Sequence, residues 1–170
     1  SSLRPPNRFG ETHAQDDFEH LADDPDSLAE LAESRTVYLP DASRSIISEN
    51  DSPDLNFRYS LNPYRGCQHG CAYCFARPTH AYLGLSPGLD FETKLFVKPD
   101  AARLLEKELA KPGYEPRTIA IGTNTDPYQP IERQYQVMRG ILEVLERAGH
   151  PVGIVTKSAL VLRDLDVLTR

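Results

Sequence analysis

Cys67-Gln68-His69-Gly70-Cys71-Ala72-Tyr73-Cys74 holds every cysteine in the 170-residue chain. The spacing is C-x3-C-x2-C, and no fourth cysteine stands anywhere else. Gly66 precedes the loop and Gly70 divides it. Glycine tolerates positive φ and close backbone approach, which a loop wrapped tightly around a bound group requires. Three thiols clustered in one loop are not a disulfide framework, so the chain reads as one from a reducing, cytoplasmic setting.

Thiolates bind soft metals and iron–sulfur clusters. A structural zinc or a fully ligated cluster takes four protein ligands. Three thiolates without a fourth fit a cubane cluster with one iron left open. A Cys3His zinc site recruiting His69 or His80 is a second reading, and a loop without metal is a third.

Working outward, Phe57 to Leu61 alternates apolar and polar residues and runs into Asn62-Pro63, which predicts a strand ending in a turn. The cysteine loop then sits at the C-terminal end of the first strand, where (βα) barrels gather functional groups. Downstream, 77–84 reads as a short helix, Ser86-Pro87-Gly88 as a turn, and Phe91–Val97 as an extra strand or extended arm. Asp100 suits the N-cap of a helix that carries Ala101, Leu104, Leu105 and Leu109 on one face. Thr118–Gly122 and Val152–Thr156 read as buried parallel strands. Between them one helix starts near Pro130, with Ile131, Tyr135, Met138, Leu142 and Leu145 at helical spacing and Gly149 after its end. Arg163–Leu168 begins another helix. The order βα, βα, β predicts an α/β domain with parallel strands.

Upstream, residues 1–55 carry 13 acidic and 4 basic side chains, while 56–170 carry 12 acidic and 15 basic. The overall charge of −6 therefore belongs to the N-terminal third, and the remainder neither demands nor excludes nucleic acid. Residues 1–42 read as an acidic, mostly disordered tail, with Ser27 and Glu30 as a capping box for a short helix over 27–34. Residues 43–170 form the ordered domain, with 35–55 as a lead-in that packs on it. No apolar run approaches membrane-spanning length.

Two further stretches carry chemistry. Thr123, Asn124, Thr125 and Asp126 follow one predicted strand directly, and Lys157 and Ser158 follow the next. Hydroxyls, an amide, a carboxylate and an ammonium on one rim suit a zwitterionic ligand. The plainer alternatives are a βα turn in which Asp126 caps the helix and a solvated Lys157.

The C-x3-C-x2-C loop resembles that of radical S-adenosylmethionine (SAM) enzymes. Asn62-Pro63-Tyr64-Arg65-Gly66-Cys67, Cys74-Phe75-Ala76-Arg77-Pro78 and Thr125-Asp126-Pro127-Tyr128 are similar to the branch that contains spore photoproduct lyase. The resemblance implies a [4Fe-4S] cluster held by Cys67, Cys71 and Cys74, with SAM chelated to the fourth iron. It implies Tyr73 beside the adenine, Thr123, Asn124, Thr125 and Asp126 near the amino group, and Lys157 and Ser158 near the carboxylate. The implied chemistry is reductive cleavage of SAM to a 5′-deoxyadenosyl radical that abstracts hydrogen from a substrate. A low-potential donor such as flavodoxin or ferredoxin would supply the electron. The substrate stays open, nucleic acid included, and the further cysteine that assists photoproduct repair has no counterpart here. The alternative remains a zinc-stabilised Cys3His binding module. The implied fold is a partial TIM barrel. A full eight-unit barrel takes roughly 250 residues, and the 114 positions from Phe57 to Arg170 hold three core strands. A start at Ser1 and an end inside a predicted helix agree with the expectation that this is the N-terminal part of a longer enzyme.

Overall fold

A computed structural model describes residues 36–170. The acidic-tail reading of residues 1–35 and the capping box at Ser27 and Glu30 lie outside the described residues. The described chain is mixed α/β with two small sheets.

The larger sheet has the order β2-β3-β6-β7. β3 (Tyr59–Leu61), β6 (Ile119–Ile121) and β7 (Val152–Ile154) run parallel, in the register Leu61 beside Ile121 beside Ile154. β2 (Ile47–Glu49) pairs antiparallel with β3. Tyr59, Leu61, Ile119 and Ile121 are buried while Ser60 and Ala120 face the half-exposed side. This period-2 split sets which face the helices cover. α2 (Ala101–Leu109) and α4 (Val137–Arg147) pack on each other and on that face, with Leu104, Leu105, Met138, Ile141 and Leu145 in the core. Gly140 permits the close crossing, since a Cβ there would lie 3.3 Å from the Ala102 Cβ. α5 (Leu165–Leu168) closes the described chain after a 3-10 turn over Ala159–Asp164.

The three predicted core strands are present, but β7 is not buried. Val152 and Ile154 are half-buried, Gly153 is exposed, and Val155 just beyond is 68% exposed. Strand pairing is found on one side of β7 only, and the sheet does not close into a barrel among the described residues.

The lead-in over 35–55 is ordered and packs on the domain through two strands, β1 (Val37–Pro40) and β2. β1 runs parallel to β5 (Lys94–Val97), and β4 (Tyr64–Arg65) pairs antiparallel with β5's other edge. The strand or arm expected over Phe91–Val97 is instead split. Its first residues belong to α1 (Leu89–Thr93), which buries Phe91 against the cysteine loop, and only Lys94–Val97 is strand.

The single helix expected from Pro130 is also broken. α3 (Glu132–Tyr135) ends at Gln136, which has φ of 49°, and α4 restarts at Val137. The buried Glu132 carboxylate accepts from Met138 N at 3.1 and 3.2 Å, capping α4 with a side chain where a continuous helix would use a carbonyl. Tyr135 consequently turns outward. Asp100 does not cap α2: its carboxylate pairs with Arg103 at 3.0 Å. Gly149 does take positive φ after α4, as its position predicts.

Candidate functional site

The loops that follow β4, β6 and β7 meet on one rim, at the C-terminal ends of the parallel strands. Asn62, just beyond β3, ties the end of that strand to the loop after β6. Its Nδ2 donates to Thr123 Oγ1 at 3.0 Å, and its Oδ1 accepts from Asn124 N at 3.0 Å and Thr125 N at 3.3 Å. Gly122 brings β6 against β7: its φ is 90°, and a Cβ there would lie 2.2 Å from Val155 O.

The cysteine loop enters this rim through Gly66 (φ 79°), whose backbone packs so closely that a Cβ would meet Leu95 Cδ2 at 2.7 Å and Phe91 O at 2.8 Å. Cys67 N donates to Phe91 O at 2.8 Å. Cys67 is buried and its thiol is pushed up by that burial, although the N–H groups of Asp126 and His69 work the other way. Cys71 and Cys74 are half-exposed, and all three thiols are free. Arg77 braces the outer turn: its Nε donates to Cys71 O at 3.0 Å, its Nη1 to Pro87 O and Gly88 O, and its Nη2 pairs with Glu92. Arg65 pairs with Asp41 and Ser43. Both arginines are structural anchors.

Asp126 is the interlock of the rim. Its carboxylate is nearly buried and accepts from Tyr128 N at 2.8 Å, Thr156 Oγ1 at 2.7 Å and Lys157 N at 2.7 Å. His69 Nε2 lies 3.3 Å from its Oδ2, out of line for a hydrogen bond. One side chain thus ties the loops after β6 and β7 and touches the cysteine loop.

Lys157 reaches across to the cysteine loop. Its Nζ donates to Cys71 Sγ at 3.1 Å and to the Tyr73 hydroxyl, and it lies 4.6 Å from the Tyr73 ring centroid. The Tyr73 hydroxyl and then the Cys71 sulfur hold the Lys157 ammonium well above the usual lysine range. Tyr73 is otherwise open to solvent, 81% exposed, as is Phe75 at 76%.

The predicted ligand contacts therefore separate into two groups. Tyr73, Asn124 and Lys157 are exposed on the rim. Thr123 is bonded to Asn62, Thr125 Oγ1 donates to Tyr64 O at 3.1 Å, Asp126 is saturated as above, and Ser158 Oγ accepts from Leu160 N at 3.2 Å. The three thiols share one loop yet do not converge: among the described residues no three His, Cys, Asp or Glu side chains form a metal cage. His80 is buried with its Nε2 2.9 Å from Lys94 O, and burial pushes its pKa down. A zinc site through either histidine would require that ring to leave its present place. The chemistry of the loop fits a three-thiolate donor set, with three sulfurs free of disulfides, no fourth cysteine, and backbone at Gly66 and Gly70 in the left-handed region, once the thiols are drawn together.

Sequence reasoning missed the supports beneath the rim. Gln129 and Gln68 exchange bonds across it. Below them the Tyr64 hydroxyl donates to Glu132, Arg163 Nη2 bridges Glu132 and Asp164 at 2.7 Å each, and the Tyr128 hydroxyl donates to Asp164 at 3.1 Å. Glu132 and Asp164 are fully buried. Carboxylates at these positions carry no motif; the signal available was their fall on core-facing sides of apolar segments. A hollow lined by Ile47, Arg58, Tyr59, Lys111 and Tyr114 lies at the opposite end of the strands and shares none of these groups.

No helix among the described residues is long and apolar enough to cross a membrane. No family model matches the chain, and no solved structure matches it. It is 51% identical over 114 residues to an uncharacterized protein of Mycobacterium tuberculosis, covering 67% of this chain and 34% of the relative. An uncharacterized protein of Methanocaldococcus jannaschii is 30% identical over 113 residues, 66% of this chain and 40% of the relative. An uncharacterized protein of Acidianus two-tailed virus is 28% identical over 120 residues, 68% of this chain and 39% of the relative. The chain thus spans about a third of the length of the first curated relatives it matches.

Proposed function

We propose that the rim is the cluster and SAM site of a radical SAM enzyme of the spore photoproduct lyase-like branch, and that β3, β6 and β7 are strands of its partial TIM barrel. One observation carries the reading. Three unpaired thiols in a single glycine-turned loop lie beside Tyr73 and Lys157, at the C-terminal ends of parallel strands.

Cys67, Cys71 and Cys74 would hold a [4Fe-4S] cluster, which supplies, when bound, one-electron cleavage of SAM toward hydrogen abstraction from a substrate. The chain's own residues bind and orient. Lys157 offers a compact positive charge for the SAM carboxylate, on a flexible stem able to leave Tyr73. The Tyr73 ring offers a face for the adenine. Asn124 supplies an exposed amide beside the same loops. Asp126 holds Thr156 and Lys157 N and so fixes where the Lys157 side chain starts; a direct contact from Asp126 to the ligand ammonium would need one of these bonds exchanged. The electron donor is proposed as a low-potential flavodoxin or ferredoxin, and the substrate class remains open to nucleic acid.

The test is anaerobic reconstitution with iron and sulfide, followed by a 5′-deoxyadenosine assay with a strong reductant. About four irons per chain and SAM-dependent 5′-deoxyadenosine are expected. Stoichiometric zinc bound through His69 or His80, with no iron uptake, would overturn the reading.

A further inference from the structure

Cys67 stands between two main-chain groups that one side chain satisfies. Gln129 Nε2 donates to Gly66 O at 3.1 Å, and its Oε1 accepts from Gln68 N at 2.9 Å. Gln129 is fully buried. A carboxamide offers one donor and one acceptor on the same edge, so it pairs with the chain on either side of Cys67 as a neighbouring strand would. A slip of the loop by one residue breaks both bonds. Gln68 reciprocates: its Oε1 accepts from Ile131 N at 3.0 Å, and its Nε2 donates to Tyr38 Oη at 3.2 Å. With Cys67 N bonded to Phe91 O, the backbone from Gly66 O to Gln68 N is fully assigned. The rest of the loop relies on weaker, local turns, Gly70 N to Cys67 O at 3.5 Å and Cys74 N to Cys71 O at 3.1 Å.

We propose that Gln129 is the positioning residue for Cys67: it holds this thiol in register with the loop after β6 and thereby tunes the potential of the group the thiol binds. The proposal rests on the cluster reading above. Moving a ligand sulfur changes its burial and polar surroundings, and with them the potential of the group it binds. Gln129 is a polar residue in a buried site that an apolar side chain of the same length would fill equally well, which marks the pairing rather than the volume as its purpose.

Full-chain Gln129→Met keeps the length and removes both bonds. Gln129→Asn keeps the group on a stem one carbon too short to span them. Gln68→Met is the control: it releases Ile131 and Tyr38 and leaves both bonds beside Cys67. In the metal-free proteins each cysteine's alkylation by iodoacetamide is followed by peptide mapping. Loss of two buried hydrogen bonds should make Cys67 react about tenfold faster in both Gln129 variants, with Cys71 and Cys74 unchanged. In the reconstituted proteins both Gln129 variants should show a shifted midpoint potential and altered electron paramagnetic resonance g-values, and Gln68→Met should not. Wild-type Cys67 reactivity and potential in a folded Gln129 variant overturn the proposal, as does a Gln68→Met shift equal to that of Gln129→Met. If the wild-type chain takes up no iron, the cluster reading falls, and the alkylation arm decides the clamp by itself.

Discussion

The two halves of the cysteine loop obey different physics within ten residues. The inner half, Gly66 to Gln68, is closely packed, with Gly66 and Cys67 buried, and is held by Phe91 O, Gln129, Ile131 N and Tyr38. The outer half, Cys71 to Phe75, sits on the surface, with Tyr73 and Phe75 open and Lys157 laid across it. Side chains of the inner half are fixed by covalently distant parts of the chain. The outer half is braced mainly by Arg77 and short turns. A site that must present one rigid ligand and still admit a large second molecule benefits from this division, because binding requires the outer half alone to move.

The largest effect should come from the buried network under the inner half. Glu132 accepts from the Tyr64 hydroxyl, Met138 N and Arg163 at once, and is fully buried. Glu132→Ala leaves the Tyr64 hydroxyl and the α4 N-terminus without their partner and takes one of two carboxylates from Arg163, and should cost about 3–5 kcal/mol in denaturant unfolding. A loss below about 1 kcal/mol would mean that the network is not what supports the loop.

The glycines test the comparison directly. Gly66→Ala puts a Cβ against Leu95, Phe91 O and the His80 ring at 2.9 Å or less, on a positive φ, so about 2–4 kcal/mol is expected. Gly70→Ala meets only the flexible Glu92 carboxylate at 2.9 Å, and Gly84→Ala, also at positive φ, meets nothing within 4 Å; both should cost about 1 kcal/mol. Equal losses at Gly66 and Gly70, measured by the same denaturation, would erase the distinction between inner and outer halves.

Much of this fold was legible because apolar period and turn residues act locally. Strands at 59–61, 119–121 and 152–154, the α2 face and the Gly149 stop all followed from spacing. The breaks in the pattern come from long-range partners. α4 restarts at Val137 because Glu132 folds back onto Met138 N, a contact that apolar spacing does not reveal. β1 and β4 exist because β5 offers both edges to segments far away in sequence. At the site, the cysteines, Tyr73 and Lys157 were legible as chemistry. Asp126, Thr125 and Ser158 were legible as polar groups at strand ends, and their inward bonds were not. Gln68 and Gln129 carried no signal, since a lone glutamine looks like any solvated amide until its partners are known.

Acid provides a graded test of the inner scaffold. Burial alone would raise Asp41 and Asp164, but the Ser43 and Arg65 hydrogen bonds on Asp41, and the Arg163 guanidinium on Asp164, outweigh it and hold both below the usual 3.8. A depressed carboxylate contributes stability that is complete above its unfolded value and is lost as pH falls through its folded value. Thermal melts should therefore ease downward as pH falls below 6.5, where His80 is held neutral by burial in the fold but charges in the unfolded chain, and fall more steeply below the ordinary carboxylate range. Arg163→Ala should flatten that acid limb. An unchanged limb in this variant would remove Asp164 from the pH-sensitive set.

The smallest effect on stability, and the sharpest on binding, is expected at Lys157. Its ammonium is exposed and touches only Cys71 and Tyr73, both on the outer half. Exposed contacts of this kind contribute little to folding. Lys157→Ala should leave the unfolding transition where it is and leave iron content unchanged, because none of the inner-half bonds involves its side chain. SAM affinity, measured by equilibrium binding to the reconstituted protein, should fall roughly tenfold, since a carboxylate then loses its one facing cation. Lys157→Arg should not restore it fully: the planar guanidinium is wider than the ammonium that fits between Tyr73 and Cys71. Unchanged SAM affinity in Lys157→Ala would take this residue out of the site. A large loss of stability would instead show that the outer half leans on Lys157 as the inner half leans on Gln129.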